Sequence, residues 1–180
     1  MNIPRLLNKY RKEVIPAMRE KFGYKNTMQV PKIEKVVLNV GIGKYIKDEK
    51  MLQKIEKDLA SLAGQKAVST IAKKSIASFK IREGMKIGYK TTLRKIKMYD
   101  FIDRLISIAF PRTRDFRGLD SKSFEKGVLN IGISEHSIFP EIHYESLKDI
   151  FGFEVSIVTT AKNKEEAKEL LKLMGFPIKA

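Results

Sequence analysis

The sequence predicts an α+β fold in which helices pack on one face of a mostly antiparallel sheet, leave the other face open, and flank a long basic hairpin loop. Three observations predict it. Apolar residues recur at helical spacing in four segments and at every second residue in five. The order is helix, strand, helix, strand, strand, helix, strand, strand, helix, and its strand-to-strand steps suit hairpins better than regular βαβ crossovers. Residues 66–97 hold ten basic side chains against one acid, Glu83, which is +9 of the chain's formal +15. Much of that charge alternates with apolar residues along a strand, so it forms a face rather than a tail.

The first element is a helix with Leu6, Tyr10, Val14, Met18 and Phe22 on one side and Arg5, Lys9, Arg11, Lys12 and Arg19 on the other. Pro16 is placed to kink or restart it, and Gly23 to cap its end. A basic amphipathic helix also suits a membrane surface, but such a stripe more often faces a core. Residues 35–42 then alternate Val36, Leu38, Val40 and Ile42 with Lys35, Val37, Asn39 and Gly41. This is a half-buried strand whose outer side is small and polar enough for a ligand to approach closely.

Asp48 caps a helix running to about residue 62, with Met51, Ile55, Leu59 and Leu62 inward and Gly64 after it. Residues 65–72 and 85–94 form a hairpin. In its second strand Tyr89, Thr91 and Leu93 face one way, and Lys86, Lys90, Thr92 and Arg94 the other. The connection 74–84, rich in Ser and Lys and containing Phe79, is too long for a tight turn, and long loops tend to be functional or disordered. A helix through Met98, Phe101, Ile102, Leu105 and Ala109 stops at Pro111, and 111–127 reads as irregular. Strands at 128–134 and 153–160 follow. The last helix has the best terminal signals in the chain: Asn163 as cap, Glu166 three residues on, and Gly175 at the end.

A chain of 180 residues with 43% hydrophobic content supports one domain, 1–180, and no repeat or low-complexity linker interrupts it. There is no cysteine, which excludes disulfides, thiolate zinc sites and cysteine nucleophiles and is compatible with a reducing compartment. No apolar run is long enough to span a bilayer, and residues 1–10 lack the apolar stretch of a signal peptide. The expectation is a cytoplasmic protein with no membrane partner. A single-sign cluster as dense as 66–97 repels itself unless a polyanion neutralises it, and nucleic acid is the commonest such partner. A solvated basic face is the plainer alternative.

Catalytic constellations are absent. His136 and His143, with Glu135, Glu141 and Glu145 nearby, match no ligand spacing and read as surface-loop residues. Gly41-Ile42-Gly43-Lys44 matches neither phosphate-loop pattern, and no serine sits in a nucleophile elbow. The expectation is a non-enzyme without cofactor or metal. Zinc fingers are excluded, and no helix-turn-helix or aromatic RNP1 signature appears. An outer sheet face carrying Lys, Asn, Thr and Arg suits the sugar-phosphate surface and 2′-hydroxyls of folded RNA better than stacked single-strand bases. The rival reading is a free-standing structured-RNA chaperone or RNA-modifying factor, though a modifying enzyme would need a cofactor pocket or acid/base pair.

Several ordered blocks match a known family. They are Met28-Gln29-Val30-Pro31, Leu38-Asn39-Val40-Gly41-Ile42-Gly43, Leu59 through Gln65, Phe79-Lys80-Ile81-Arg82-Glu83-Gly84, Thr92-Leu93-Arg94, Pro111-Arg112 through Leu119, and Phe139-Pro140-Glu141-Ile142. Over essentially its whole length the chain resembles the universal large-subunit ribosomal protein five family, whose bacterial members bind 5S rRNA in the central protuberance. The resemblance implies that the open sheet face holds 5S rRNA through Asn39, Gln65, Thr92 and Arg94, with Lys35 and Lys90 on phosphates. It implies that the basic loop, with Lys73, Lys74, Ser75, Lys80 and Arg82, reaches P-site tRNA. It also implies that Arg112, Arg114 and Arg117, with Phe139, Pro140 and Glu141, meet small-subunit ribosomal protein thirteen in an intersubunit bridge. Large-subunit rRNA and other 5S-associated large-subunit proteins are further implied partners. Two departures stand out: Lys95 replaces a glycine common in the family, and the usual glycine-rich stretch after Phe124 is shortened to Glu125-Lys126-Gly127.

Overall fold

The structure, a computed structural model, describes residues 3–46, 48–114, 116–142 and 150–179. Helix α1 runs without a break through Arg5–Lys9, a π-wound stretch Tyr10–Val14, and Ile15–Phe22. Strand β1 is Ile33–Gly41, α2 is Glu49–Ala63, β2 is Val68–Ile71 and β3 is Lys86–Leu93. Helix α3 joins Lys95–Arg104, a second π-wound stretch Leu105–Ala109, and Phe110–Arg112. Then come β4, Phe124–Glu125, β5, Val128–Ile133, β6, Phe153–Thr159, and α4, Lys164–Met174. The strands form one sheet in the order β2-β3-β1-β6-β5-β4, with β2 antiparallel to β3 and β4 antiparallel to β5. The α+β expectation is borne out.

Pro111 acts differently from its sequence reading, while at Pro16 regular α winding resumes after a π-wound stretch. Each π-wound stretch ends two residues before a proline, at Val14 before Pro16 and at Ala109 before Pro111. Proline has no N–H to offer and its ring crowds the carbonyl four residues back; a wider turn relieves both. Helix α3 therefore passes through Pro111 to Arg112 instead of stopping at it.

The chain clusters into two compact units. One comprises Met1–Val36, Leu93–Ile131 and Ser156–Ala180. Within it α1 buries Leu6, Tyr10, Val14 and Met18, α3 buries Phe101, Ile102 and Leu105, and α4 buries Ala167, Leu170, Leu171 and Met174. The apolar stripe of α1 thus faces a core, and no described helix is long and apolar enough to cross a membrane. The Arg5 guanidinium donates to the Asp103 carboxylate and the Ser107 hydroxyl, tying α1 to α3. The Tyr10 hydroxyl donates to the Pro31 carbonyl at 3.1 Å, and burial pushes its pKa up to about 12. The segment read as irregular is anchored by Phe110 stacked on Phe116 at 4.9 Å and by Leu119 N–H donating to the Pro177 carbonyl at 2.8 Å. It also contains β4, whose hairpin with β5 turns on Lys126 and Gly127, at φ 43° and 91°. Two successive positive φ values are what a two-residue type I′ turn requires.

The other unit comprises Val37–Thr92 and Gly132–Val155. Here α2 buries Met51, Ile55, Leu59 and Leu62, and β1 and β3 bury Leu38, Val40 and Tyr89. The Asp48 carboxylate accepts from Met51 N–H at 3.1 Å and Gly64 closes the helix at φ 62°, as the sequence predicts. His136 corrects its surface-loop reading. It is fully buried, stacked on Phe151 at 4.1 Å, and its Nδ1 accepts from Phe151 N–H at 3.2 Å. Its Nε2 lies 4.0 Å from the Asp58 carboxylate. His143 and Glu145 lie outside the described residues.

Strand β2 opposes β3 in the register Val68↔Lys90, Ser69↔Tyr89, Thr70↔Gly88, after which a shift sets Ile71 opposite Lys86. Gly88 is required at that juncture. A Cβ there would lie 2.7 Å from the Val40 carbonyl oxygen and 2.8 Å from the Thr70 hydroxyl, and the backbone atom cannot swing away. Gly88→Ala is therefore expected to lower stability by about 1–3 kcal/mol in chemical denaturation, through overpacking. An unchanged denaturation midpoint would contradict the close approach of β1 and β3.

Candidate nucleic-acid interface

Each outward side chain is placed by the neighbour it alternates with. On β1, Val36, Leu38 and Val40 are fully buried, Lys35 and Val37 are half-buried, and Asn39 and Gly41 are exposed. On β3, Tyr89, Thr91 and Leu93 are buried, Lys90 is exposed and Thr92 is half-buried. Arg94, exposed, is the residue before α3. Among the described residues Asn39, Lys90 and Arg94 make no ion pair or side-chain hydrogen bond within the chain. Their polar ends are turned to solvent, where an amide and cations can meet sugar edges and phosphates. Among the described residues Lys35 has a 4.0 Å approach to its neighbour Glu34.

Gln65 has a structural duty as well. Its amide Nε2 donates to the Thr92 carbonyl at 2.9 Å, joining the loop after α2 to the end of β3. Lys86, expected beside Lys90, is set apart by the register shift between Thr70 and Ile71. A bulge breaks the two-residue period, and Lys86 lines a groove with Lys66, Ser69, Tyr89 and Glu56, on the side to which buried Tyr89 belongs. Burial raises the Tyr89 pKa, and the adjacent Glu56 carboxylate raises it further.

The long loop is built rather than loose. Ala72 N–H donates to Met85 O at 2.9 Å, and Ile76 and Ile81 exchange backbone bonds of 2.9 and 3.2 Å. The turn Ala77–Phe79 between them ends on Lys80 at φ 54°. The Ser75 hydroxyl accepts from Glu83 N–H at 2.9 Å, so this residue braces the loop. Lys73, Lys74, Lys80 and Arg82 are all exposed. Sequence reasoning passed over the exposure of Phe79, 69%; its place in a Lys-rich loop without an apolar partner pattern was the signal.

The bridge residues divide. Arg112, Arg114 and Arg117 are exposed in the first unit, and Pro140 and Glu141 are exposed in the second. Phe139 is a correction. It is 1% exposed, with its ring centroid 6.0 Å from that of Phe153, so its ring belongs to the core and not to a contact surface. No group of His, Asp or Glu able to hold a metal occurs among the described residues.

Residues 26–82 match the family model described as Ribosomal protein L5, and residues 86–178 match the model of the same ribosomal family's C-terminus. The large ribosomal subunit protein uL5 of Clostridium tetani is 54% identical over 176 residues, covering 97% of this chain and 98% of that protein. The uL5 of Clostridium perfringens strain 13 is 55% identical over 174 residues, covering 96% and 97%. That of Carboxydothermus hydrogenoformans is 52% identical over 176 residues, covering 97% and 98%. The chain belongs to the ribosomal protein L5 family. As an L5 protein it is a structural, non-enzymatic constituent of the large subunit of the cytoplasmic ribosome, a ribonucleoprotein component. The two family models meet between residues 82 and 86, inside the hairpin loop.

One L5 departure now has a cost attached. Lys95, read in the sequence as a departure, adopts φ 54°. A left-handed backbone at a residue with a Cβ is strained by roughly 1–2 kcal/mol. Lys95→Gly is expected to raise stability by about 1 kcal/mol in denaturant titration. A loss of stability would show that the Lys95 side chain supports the fold.

Proposed function

We propose that this L5-family protein binds 5S rRNA through the outward side of β1 and β3 and helps attach it to the large subunit in the central protuberance. Asn39, Gln65, Thr92 and Arg94 make the directional contacts, and Lys35 and Lys90 neutralise phosphates. The observation that carries the reading is the exposure of Asn39 and Lys90 beside the buried alternating sets of β1 and β3, and of Arg94 just past β3, none of the three with an ion pair or side-chain hydrogen bond among the described residues. The basic loop, through Lys73, Lys74, Lys80 and Arg82, reaches P-site tRNA, with Ser75 holding its shape. Arg112, Arg114 and Arg117, and separately Pro140 and Glu141, face small-subunit ribosomal protein thirteen. Residues 1–180 act as one RNA-binding domain, with large-subunit rRNA and other 5S-associated proteins as neighbours.

Comparing affinity for 5S rRNA with that for an unrelated RNA of equal length, across a salt series, tests this. Tight binding to 5S rRNA alone is expected, with a log-log salt slope of about −4 to −5 if roughly six phosphates are neutralised. Asn39→Ala and Arg94→Ala should each weaken binding by about 1–3 kcal/mol while leaving the unfolding midpoint unchanged. Equal affinity for both RNAs would favour the free-standing chaperone instead.

A further inference from the structure

We infer that Phe79 is a stacking platform for one unpaired RNA base, so that the hairpin tip holds a base face where the sheet face meets the sugar-phosphate backbone. The inference rests on the tip being an RNA contact. Phe79 is 69% exposed and is the one aromatic among the exposed large hydrophobic residues described. It stands at the last position of the turn Ala77–Phe79, directly before the left-handed Lys80. The paired backbone bonds of Ile76 and Ile81 lie immediately beneath that turn, and the Ser75–Glu83 bond braces it further down. A ring presented on a pinned turn loses little freedom when something covers it.

The surroundings select the occupant. Residues 73–84 carry Lys73, Lys74, Lys80 and Arg82 against the single acid Glu83. A protein anchor pocket would be met by mixed polar groups; an exposed ring in a nearly all-cationic setting suits a polyanion with flat apolar faces. Unpaired nucleobases are such surfaces, and aromatic stacking on them tolerates any base because every base has a π-face. Duplex RNA offers no such face along its length. The contact therefore requires a loop, bulge or end.

The chain has no tryptophan, so Phe79→Trp in the full-length protein places a single fluorophore at the tip. Two probes are compared: an RNA hairpin, and the same hairpin with abasic loop nucleotides. Phe79→Trp should keep its affinity for the intact hairpin and be quenched by it, and the abasic hairpin should leave the emission unchanged. Phe79→Ala should weaken binding of the intact hairpin by about 5- to 150-fold, the range for one base–aromatic stack. Its salt slope should stay as in the unsubstituted protein, since no charge is removed. Equal losses on the intact and abasic hairpins, or no loss on either, would overturn the stacking role. A variant with Lys73, Lys74, Lys80 and Arg82 all replaced by Ala separates the two levels. If it loses affinity while Phe79→Ala does not, stacking alone is overturned; if it binds with unchanged affinity and slope, the tip is no RNA contact and both readings fall.

Discussion

A one-residue slip of β3 would bury Lys90 and expose Tyr89 and Leu93, and the candidate interface exists because that slip is forbidden. Strand side chains alternate with a period of two, so every outward group is placed by the burial of its neighbours. Tyr89 and Leu93 are at most 3% exposed, and Leu38 and Val40 on β1 are fully buried. Reversing either strand would bring a cation or an amide into that environment, where an unpaired polar group is strongly disfavoured. The close seat of Gly88 against the Val40 carbonyl then holds the two strands in contact.

Helices and alternating strands were legible because their signals are local and repeated. Asp48 and Gly64 bound α2 as read, and its inward set, Met51, Ile55, Leu59 and Leu62, is buried. The finer ends were not. Asn163 carries no capping bond, and Glu166 instead accepts from the N–H of Lys162 at 3.1 Å, one residue before the cap. The reciprocal box forms at Asn26 and Gln29, ahead of a three-residue turn too short to show any periodicity. The bulge that diverts Lys86 was equally hidden, since nothing in the strand's own residues records what its partner strand opposes. Phe139 and His136 were misread for a related reason: each lies in a short turn, His136–Ile138 and its cap, where no period separates inside from outside.

Among the described residues the non-glycine positions with positive φ are three lysines, Lys80, Lys95 and Lys126. Asn, Asp and Gly are the usual occupants of such positions. All three lysines are exposed and none has an ion pair among the described residues, so their charge gives the isolated fold nothing to offset the strain. Local conformation and net charge conflict here, and conflicts of that kind gather where a surface serves a partner.

Lysine-reactivity footprinting of the protein alone and bound to 5S rRNA addresses the register-defined face most directly. Lys90 and Lys35 should lose reactivity in the complex, while Lys172, exposed on α4, keeps it. A complex in which Lys90 and Lys35 stay reactive while Lys172 is protected would place the RNA on another surface and contradict the account.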